Sequence, residues 1–160
     1  MNSPTGQETA IAEMVEKYEI CRGLFYLDVP AGQHVVYALL CNDGSLYIGQ
    51  TSDLTKRFHE HQAGRAADWT RRHKPLRIVQ VEPVVSRQEA MRLEYRWKKS
   101  SGRKRLKRLA ESGNERLIQA VAGLSQALAL ARPDPKALEI QNDLDHFQAV
   151  CARISGDTPK

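Results

Sequence analysis

Residues 34–50 constrain the fold more than any other part of the chain. Two runs rich in β-branched, aliphatic and aromatic residues, 34–41 (HVVYALLC) and 46–48 (LYI), flank the tripeptide Asn-Asp-Gly at 42–44. Such runs favour strands, and Asn, Asp and Gly between them are a strong signal for a hairpin turn. The segment therefore predicts two antiparallel strands joined by a tight loop.

The length of that loop decides which sheet face each tyrosine occupies. With a three-residue loop and Gly44 in the left-handed conformation, Leu39 opposes Tyr47 and Tyr37 opposes Gly49. The two tyrosines then share one face, and Gly49 leaves room for the Tyr37 ring. A two-residue turn would instead place them on opposite faces. Strands favour aromatic residues, so two rings that serve only as core remain an alternative.

The other elements follow from capping signals and hydrophobic periodicity. Residues 65–75 read as a basic loop, and breaks are expected at 112–114 and 133–135. The predicted elements are helices at 9–20, 53–63 (ended by Gly64), 86–100 (capping box at Ser86 and Glu89) and from Arg103 onward, and strands at 23–29 and 76–81.

The positive charge is concentrated in the middle of the chain. Residues 34–109 carry 17 Lys and Arg against 7 Asp and Glu, a balance of +10, whereas 1–33 and 110–160 carry −3 and −2. A basic segment between acidic flanks is the electrostatic pattern of a protein that binds a polyanion, although a basic solvated face gives the same count.

Cysteine usage and hydropathy exclude other classes of protein. Three widely spaced cysteines, an odd number, fit neither a disulfide framework nor a zinc site of cysteine pairs. The longest apolar stretch, 117–131, is too short and too polar to cross a bilayer. These features, with no charged-then-apolar leader, predict a cytoplasmic, reduced protein with no membrane partner.

Two predicted helices place charged residues on their inward stripes. In 53–63, Arg57 and His61 fall on the same stripe as Leu54 and Phe58, and an unpaired charge there is costly. They indicate a cleft, unless the arginine lies at the helix edge and the histidine is a hydrogen-bonded core residue.

Glu94 repeats this pattern on the next helix, between the apolar positions Leu93 and Trp97. A carboxylate among apolar neighbours needs an arginine or a bound cation, and Mg²⁺ is often held by one or two carboxylates. Lys98, four residues later, offers a plain helix salt bridge instead.

These residues resemble the GIY-YIG nuclease superfamily, over Val35 to about Leu109. Val35-Val36-Tyr37 stands in place of Gly-Ile-Tyr, and Tyr47-Ile48-Gly49 matches the second motif. Arg57, His61 and Glu94 follow at the family's spacing. Segments 69–75 and 97–100 are similar to the compact, single-domain branch related to the excision-repair incision nuclease. The chain departs from the family at Val35-Val36, and it offers only Asn114 for a later asparagine.

The resemblance implies an α+β fold, with a small three-stranded antiparallel sheet flanked by helices and the site on one sheet face. It implies a metal-dependent DNA endonuclease with a one-metal mechanism. Glu94 would hold Mg²⁺ or Mn²⁺, Tyr47 with Tyr37 beside it would activate or orient the attacking water, Arg57 would stabilise the transition state, and His61 would assist the tyrosine as proton acceptor.

The expected DNA contacts are mostly basic residues, because phosphate contacts dominate affinity. Seven of the eleven residues from Lys98 to Arg108 are basic. The predicted nucleic-acid-binding set is Gly49, Lys56, Arg65, Trp69, Arg71, Arg72, Lys74, Lys98, Lys99, Arg103 and Lys104.

We divide the chain into a helical and strand extension (1–33), a nuclease domain (34–109) and a C-terminal helical hairpin (110–160). The hairpin is expected from apolar positions at helical spacing, and it suits a cap on the core, a homodimer or partner interface, or a lid. Two alternatives to an active nuclease remain, namely an inactive nucleic-acid binder with the same fold and a protein-interaction module.

Overall fold

The computed structural model describes residues 3–27, 32–132 and 134–156. The elements in chain order are α1 Gly6–Phe25, β1 Val35–Cys41, β2 Leu46–Thr51, α2 Leu54–Gln62, α3 Asp68–Arg72, β3 Pro75–Pro83, α4 Arg87–Lys98, α5 Ser100–Ala131 and α6 Pro135–Ile154. The strands form one antiparallel sheet in the order β2-β1-β3. The predicted α+β class, with three antiparallel strands and flanking helices, is confirmed.

The β1–β2 hairpin has the three-residue loop. The Cys41 amide donates to the Ser45 carbonyl at 2.9 Å, and Gly44 has a φ of +85°. In the resulting register Tyr37 lies opposite Gly49 and Leu39 lies opposite Tyr47. The register that puts both tyrosines on one face is therefore confirmed.

The sheet has a helix on each face. On one face Tyr37 and Leu39 are buried with Leu54 of α2, and Tyr47 and Phe58 pack against them. On the other face a separate cluster joins strand residues to α4 and α5, and its buried members are Val36, Ala38, Ile48, Val84, Ala90, Trp97 and Leu106. Alternation along the strands sends successive side chains to these two clusters.

The chain divides into two compact units, one of residues 27–113 and one of residues 1–26 with 114–160. In the described part of the second unit, α1, residues 114–131 of α5 and α6 surround a core that includes Met14, Leu124, Leu128, Ile140 and Phe147. Phe25 stacks on Phe147 with ring centroids 4.3 Å apart. This unit therefore has its own hydrophobic core.

Several predicted elements differ from the observed ones. Residues 23–25, expected in a strand, complete the last turn of α1, and residues 28–31 lie outside the described part. The expected basic loop contains the short helix α3, because Thr70 and Trp69 both gain tertiary hydrogen bonds there. Ile118 and Leu138, two of the apolar positions from which the C-terminal helical hairpin was predicted, are 38% and 75% exposed.

The break expected at 112–114 is absent, and α5 runs through it. Glycine in a helix costs about 1 kcal/mol relative to alanine. Here a β-carbon on Gly113 would lie 2.8 Å from Nη2 of Arg77, whose guanidinium donates to the Ala110 carbonyl at 2.8 Å. Gly113 thus leaves space for a buried arginine, which is a packing role that local propensity does not reveal.

The sequence predicted that the longest apolar stretch would not cross a bilayer. Among the described residues, none of the helices has both the length and the apolar character needed to cross a bilayer.

Candidate active site

Tyr37 and His61 form the buried part of the site. The Tyr37 hydroxyl and His61 Nε2 are 2.8 Å apart, and His61 Nδ1 is 2.8 Å from Thr70 Oγ1. The Thr70 hydroxyl donates its one hydrogen to the Ala67 carbonyl, so it accepts from His61 Nδ1. His61 Nε2 is then unprotonated and accepts from Tyr37.

Burial holds this histidine in its neutral form. His61 is 1% exposed, and burial, with the nearby charge of Arg57, lowers its pKa to about 4. Burial likewise raises the pKa of the Tyr37 hydroxyl well above its ordinary value. At neutral pH both groups are therefore uncharged, and the pair is a neutral hydrogen-bond relay.

Tyr47 is the tyrosine that borders open space. It is half-buried and lines a cavity of about 610 Å³ that runs along the free edge of β2; we name this the edge cavity. Burial raises the pKa of the Tyr47 hydroxyl, and the positive charges of Lys98 and Arg57 oppose that shift. Tyr47 is thus close enough to Lys98 and Arg57 to interact with both of their charges.

Glu94 approaches from α4, as its inward stripe predicted. Its side chain is 19% exposed, and Lys98 Nζ donates to Oε1 at 2.6 Å. Its other oxygen, Oε2, accepts from Gln50 Nε2 on β2 at 2.9 Å. The charge of Glu94 raises the pKa of Tyr47. The charges of Glu94 and Lys98 thus interact with each other and with the Tyr47 phenol.

Arg57 lies at the rim of α2 rather than beneath it. Its side chain is 40% exposed and its Nη1 is 3.5 Å from Glu60 Oε2, a partly solvated pair that contributes little stability. Its charge nevertheless lowers the pKa of Tyr37, Tyr47 and His61. A partly exposed guanidinium whose charge reaches both phenols is suited to contact a phosphate.

The site wraps around the edge of the sheet, whereas the resemblance led us to expect it on one face. Tyr37, Tyr47 and His61 belong to the α2 face, but Gln50 alternates with Gly49 and binds Glu94 on the α4 face. The two halves meet at the free edge of β2, since β1 pairs with its other edge. An edge strand without a neighbour on one side lets both faces reach a common ligand.

The predicted DNA-binding residues divide into two groups. Trp69, Lys98, Arg103 and Lys104 line the edge cavity, together with the hairpin residues 44–48. The exposed side chains that do not line it are Lys56, Arg65, Arg71, Arg72, Lys74 and Lys99. Gly49 is buried, and a β-carbon there would lie 2.7 Å from the Tyr37 hydroxyl oxygen. Its place in the site is therefore packing.

Trp69 forms one wall of the edge cavity. Its Nε1 donates to Ser45 Oγ at 3.0 Å, and its ring lies 4.4 Å from that of His73, yet it is 39% exposed. These contacts hold an aromatic surface at the hairpin turn, and aromatic rings can stack on nucleic-acid bases.

A divalent cation fits this site only through a single carboxylate. Within the described ranges, no group of three or more His, Cys, Asp or Glu side chains could hold a metal ion. Glu94 uses one acceptor position on each oxygen, for Lys98 and Gln50, and retains others. Mg²⁺ is commonly held by one or two carboxylates with water and phosphate oxygens, so the donor set suits it.

The sequence analysis missed four residues of this arrangement. Lys107 also lines the edge cavity, and its helical spacing from Lys104 was an available signal. Gln50 is a polar residue at a strand position that alternation assigns to a buried face, which was a second signal. Thr70, and His34 with its Nε2 3.0 Å from Gln50 Oε1, gave no local signal, since their partners lie on other elements.

The structure is a small α+β domain with a basic cavity at the free edge of its sheet. The family model described as the GIY-YIG catalytic domain matches residues 33–107. The chain belongs to the GIY-YIG family, a nuclease superfamily, and is similar to UPF0213 proteins.

Three comparisons illustrate that similarity. The UPF0213 protein of Bacillus velezensis is 43% identical over 72 residues, which cover 45% of this chain and 73% of the relative. That of Streptococcus agalactiae is 36% identical over 89 residues, covering 56% and 98%. A solution NMR structure of the UPF0213 protein from Bacillus halodurans is 41% identical, covers 51% of this chain and 86% of its own, and has a TM-score of 0.32. That score adds nothing to the fold assignment.

Proposed function

We propose that the chain is a divalent-metal-dependent DNA endonuclease, that the edge cavity receives the DNA backbone, and that residues 34–109 are the nuclease domain. The observation that carries this proposal is the position of Tyr47, Lys98 and Glu94 around the free edge of β2. Phosphodiester hydrolysis needs an oriented water, positive charge near the phosphate oxygens and help for the leaving oxygen.

Glu94 is the residue that would hold Mg²⁺ or Mn²⁺. When bound, such an ion supplies a Lewis acid to the phosphate and to the leaving oxygen. Lys98 neutralises Glu94 in the absence of ligand, and its ammonium is free to turn toward a phosphate because its side chain is 47% exposed.

Tyr47 is the residue that orients the attacking water, because it is the site tyrosine that lines the edge cavity. The raised pKa keeps the Tyr47 phenol protonated at neutral pH, so its oxygen accepts a hydrogen bond from the attacking water and orients it without taking its proton. Arg57 contacts a non-bridging phosphate oxygen. Tyr37 and His61 are positioning residues, since they lie buried behind Tyr47 and hold one another.

Support for DNA as substrate comes from charge and shape. The +10 balance of residues 34–109 favours a polyanion. Four cations line the same cavity as Tyr47, namely Lys98, Arg103, Lys104 and Lys107. Their line follows the α4–α5 junction, so a backbone that contacts them passes the phenol.

The test is cleavage of labelled single-stranded, duplex and forked DNA, with and without Mg²⁺. We expect product from at least one substrate with Mg²⁺ only. Glu94→Ala should lower the rate about 10³-fold or more, because it removes the metal ligand, while DNA binding persists. Glu82→Ala, which removes an exposed carboxylate of β3, is the matched control.

Binding without any product would indicate an inactive nucleic-acid binder, and neither binding nor product would indicate an interaction module. Undiminished cleavage by Glu94→Ala would remove the metal-holding role of Glu94.

A further inference from the structure

Glu94 is held between two donors of different kinds. Lys98 Nζ contacts Oε1 from the same helix at 2.6 Å, and its side chain is about half exposed. Gln50 Nε2 contacts Oε2 from β2 at 2.9 Å. Lys98 and Glu94 lie on the same helix surface, so the ion pair between them does not by itself fix the carboxylate against the sheet. Gln50 is the contact that ties Glu94 to the sheet.

The amide of Gln50 is itself oriented by a third residue. Gln50 Oε1 lies 3.0 Å from His34 Nε2. An ionised carboxylate only accepts hydrogen bonds, so Gln50 must present its NH₂ group to Glu94 and its oxygen to His34. His34 must then carry its hydrogen on Nε2. The direction of every hydrogen bond in the chain His34, Gln50, Glu94 is thereby determined.

His34 is anchored independently of Gln50. Its backbone carbonyl accepts from the Val84 amide at 2.9 Å and from Gln33 Nε2 at 3.1 Å. The Val84 contact attaches the residue before β1 to the residue after β3, and the His34 ring contacts Gln50 of β2. The backbone of His34 is thus fixed by contacts that do not involve Gln50.

We propose that Gln50 is the positioning residue that holds the Glu94 carboxylate beside β2 for a divalent cation, and that His34 acts through it by fixing its amide. This inference rests on the proposed function. Residues that hold a ligating carboxylate in place commonly change metal affinity by 10- to 100-fold when removed. Gln50 and His34 act on Glu94 and do not touch the substrate.

The test measures Mn²⁺ dissociation constants of the full chain without DNA, from the free Mn²⁺ signal in electron paramagnetic resonance. Gln50→Met, similar in length but without hydrogen bonds, should weaken binding about tenfold. Gln50→Asn, which keeps the amide but is too short to span the gap, should do the same. Gln80→Met is the matched control, because Gln80 faces the same side of the sheet and binds Arg105 instead.

A double-mutant cycle separates His34 from general structural effects. His34→Phe should weaken Mn²⁺ binding in the native background and have no further effect in Gln50→Met, since it acts through that amide. With DNA present, Gln50→Met should raise the metal concentration for half-maximal cleavage about tenfold while the rate at saturating metal recovers. A structural defect would instead lower the saturated rate.

The failures of the two proposals are distinguishable. If Glu94→Gln loses Mn²⁺ affinity but Gln50→Met and Gln50→Asn match the wild type, Gln50 has no positioning role and the proposed function stands. If Glu94→Gln binds Mn²⁺ as the wild type does, the metal site itself is wrong, and the role of Gln50 is overturned with it.

Discussion

The two tyrosines of the site have different surroundings, although their motifs look alike. Tyr37 is 2% exposed and donates to neutral His61, whereas Tyr47 is half-buried and borders the edge cavity. A group that handles a water or phosphate must be reachable, and a group with a buried partner is expensive to move. We therefore expect Tyr47 to contact the attacking water and Tyr37 to act as a positioning residue.

Comparison of Tyr47→Phe with Tyr37→Phe tests this division. Tyr47→Phe should lower the single-turnover cleavage rate by about 10²-fold or more, since it removes only the hydroxyl that orients the attacking water. Tyr37→Phe should cost about 1–3 kcal/mol of stability, because His61 Nε2 loses its buried donor, and should reduce the rate less. The opposite ranking of the two rates would reverse the assignment.

His61 gives the folded protein a defined pH dependence. Its pKa is lowered to about 4, while the unfolded chain binds that proton near pH 6.5. The unfolded state thus binds more protons between these values, so the stability from neutral His61 is complete above pH 6.5 and falls as pH decreases toward 4. The loss should reach about 3 kcal/mol at most.

Urea unfolding of the wild type and of His61→Gln at pH 7 and pH 4.5 measures this loss. Carboxylates titrate in both proteins, so the difference between them isolates His61. Equal pH dependence of the two midpoints would mean that His61 is not held neutral.

At the scale of elements, the hairpin sets the geometry of the site. Gly49 faces Tyr37 across the strands, and an added β-carbon would lie 2.7 Å from the Tyr37 hydroxyl oxygen and 3.1 Å from a ring carbon of Tyr47. Both phenols are thus packed over a position that has room only for hydrogen. The close approach explains the glycine without any unusual backbone angle.

Gly49→Ala should therefore destabilise the protein by about 1–3 kcal/mol through overpacking and displace the Tyr37 ring from His61. Gly23→Ala, in α1 where an added β-carbon meets nothing within 4 Å, is the control and should be neutral or slightly stabilising. Chemical denaturation midpoints compare the two. If Gly49→Ala left the denaturation midpoint unchanged, the two tyrosine rings would have room to shift and the close packing over Gly49 would not constrain the site.

The hairpin was predictable because its information is local. Gly44 determines the turn, and strand alternation then carries the register to Tyr37 and Tyr47. Inward placement of His61 and Glu94 followed from helical periodicity in the same way. The wrapping of the site around β2 was not predictable, because it depends on which face each helix covers. The connections between strands and helices decide which face each helix covers, and the spacing of side chains along one element does not predict it.

At the scale of the whole molecule, the basic segment 98–108 has two different faces. Lys98, Arg103, Lys104 and Lys107 line the edge cavity. Arg105 instead donates to Gln80 and lies 5.6 Å from the Trp97 ring, so it serves the packing of α5 on the sheet. Counting residues in the sequence showed that the segment is basic. It could not show which basic residues line the cavity and which pack on the sheet, since that depends on where α5 contacts the strands.

Lys104→Ala should weaken DNA binding similarly for all sequences and lower the slope of log affinity against log salt by about 1. Lys99→Ala is the control, because its ammonium lies 4.7 Å from the Tyr95 ring and does not line the cavity. Its slope should change less. Equal changes in both variants would mean that DNA does not follow the edge cavity.

The central claim is that Glu94 holds a divalent cation at the edge of β2, close to Tyr47, although the two residues lie on opposite faces of the sheet. The most direct measurement is Mn²⁺-induced broadening of the fluorine signal of Tyr47 in protein labelled with 3-fluorotyrosine, the signal being identified by its loss in Tyr47→Phe. We predict strong broadening in the wild type and almost none in Glu94→Ala. Equal broadening in both proteins, or none in either, would contradict the account.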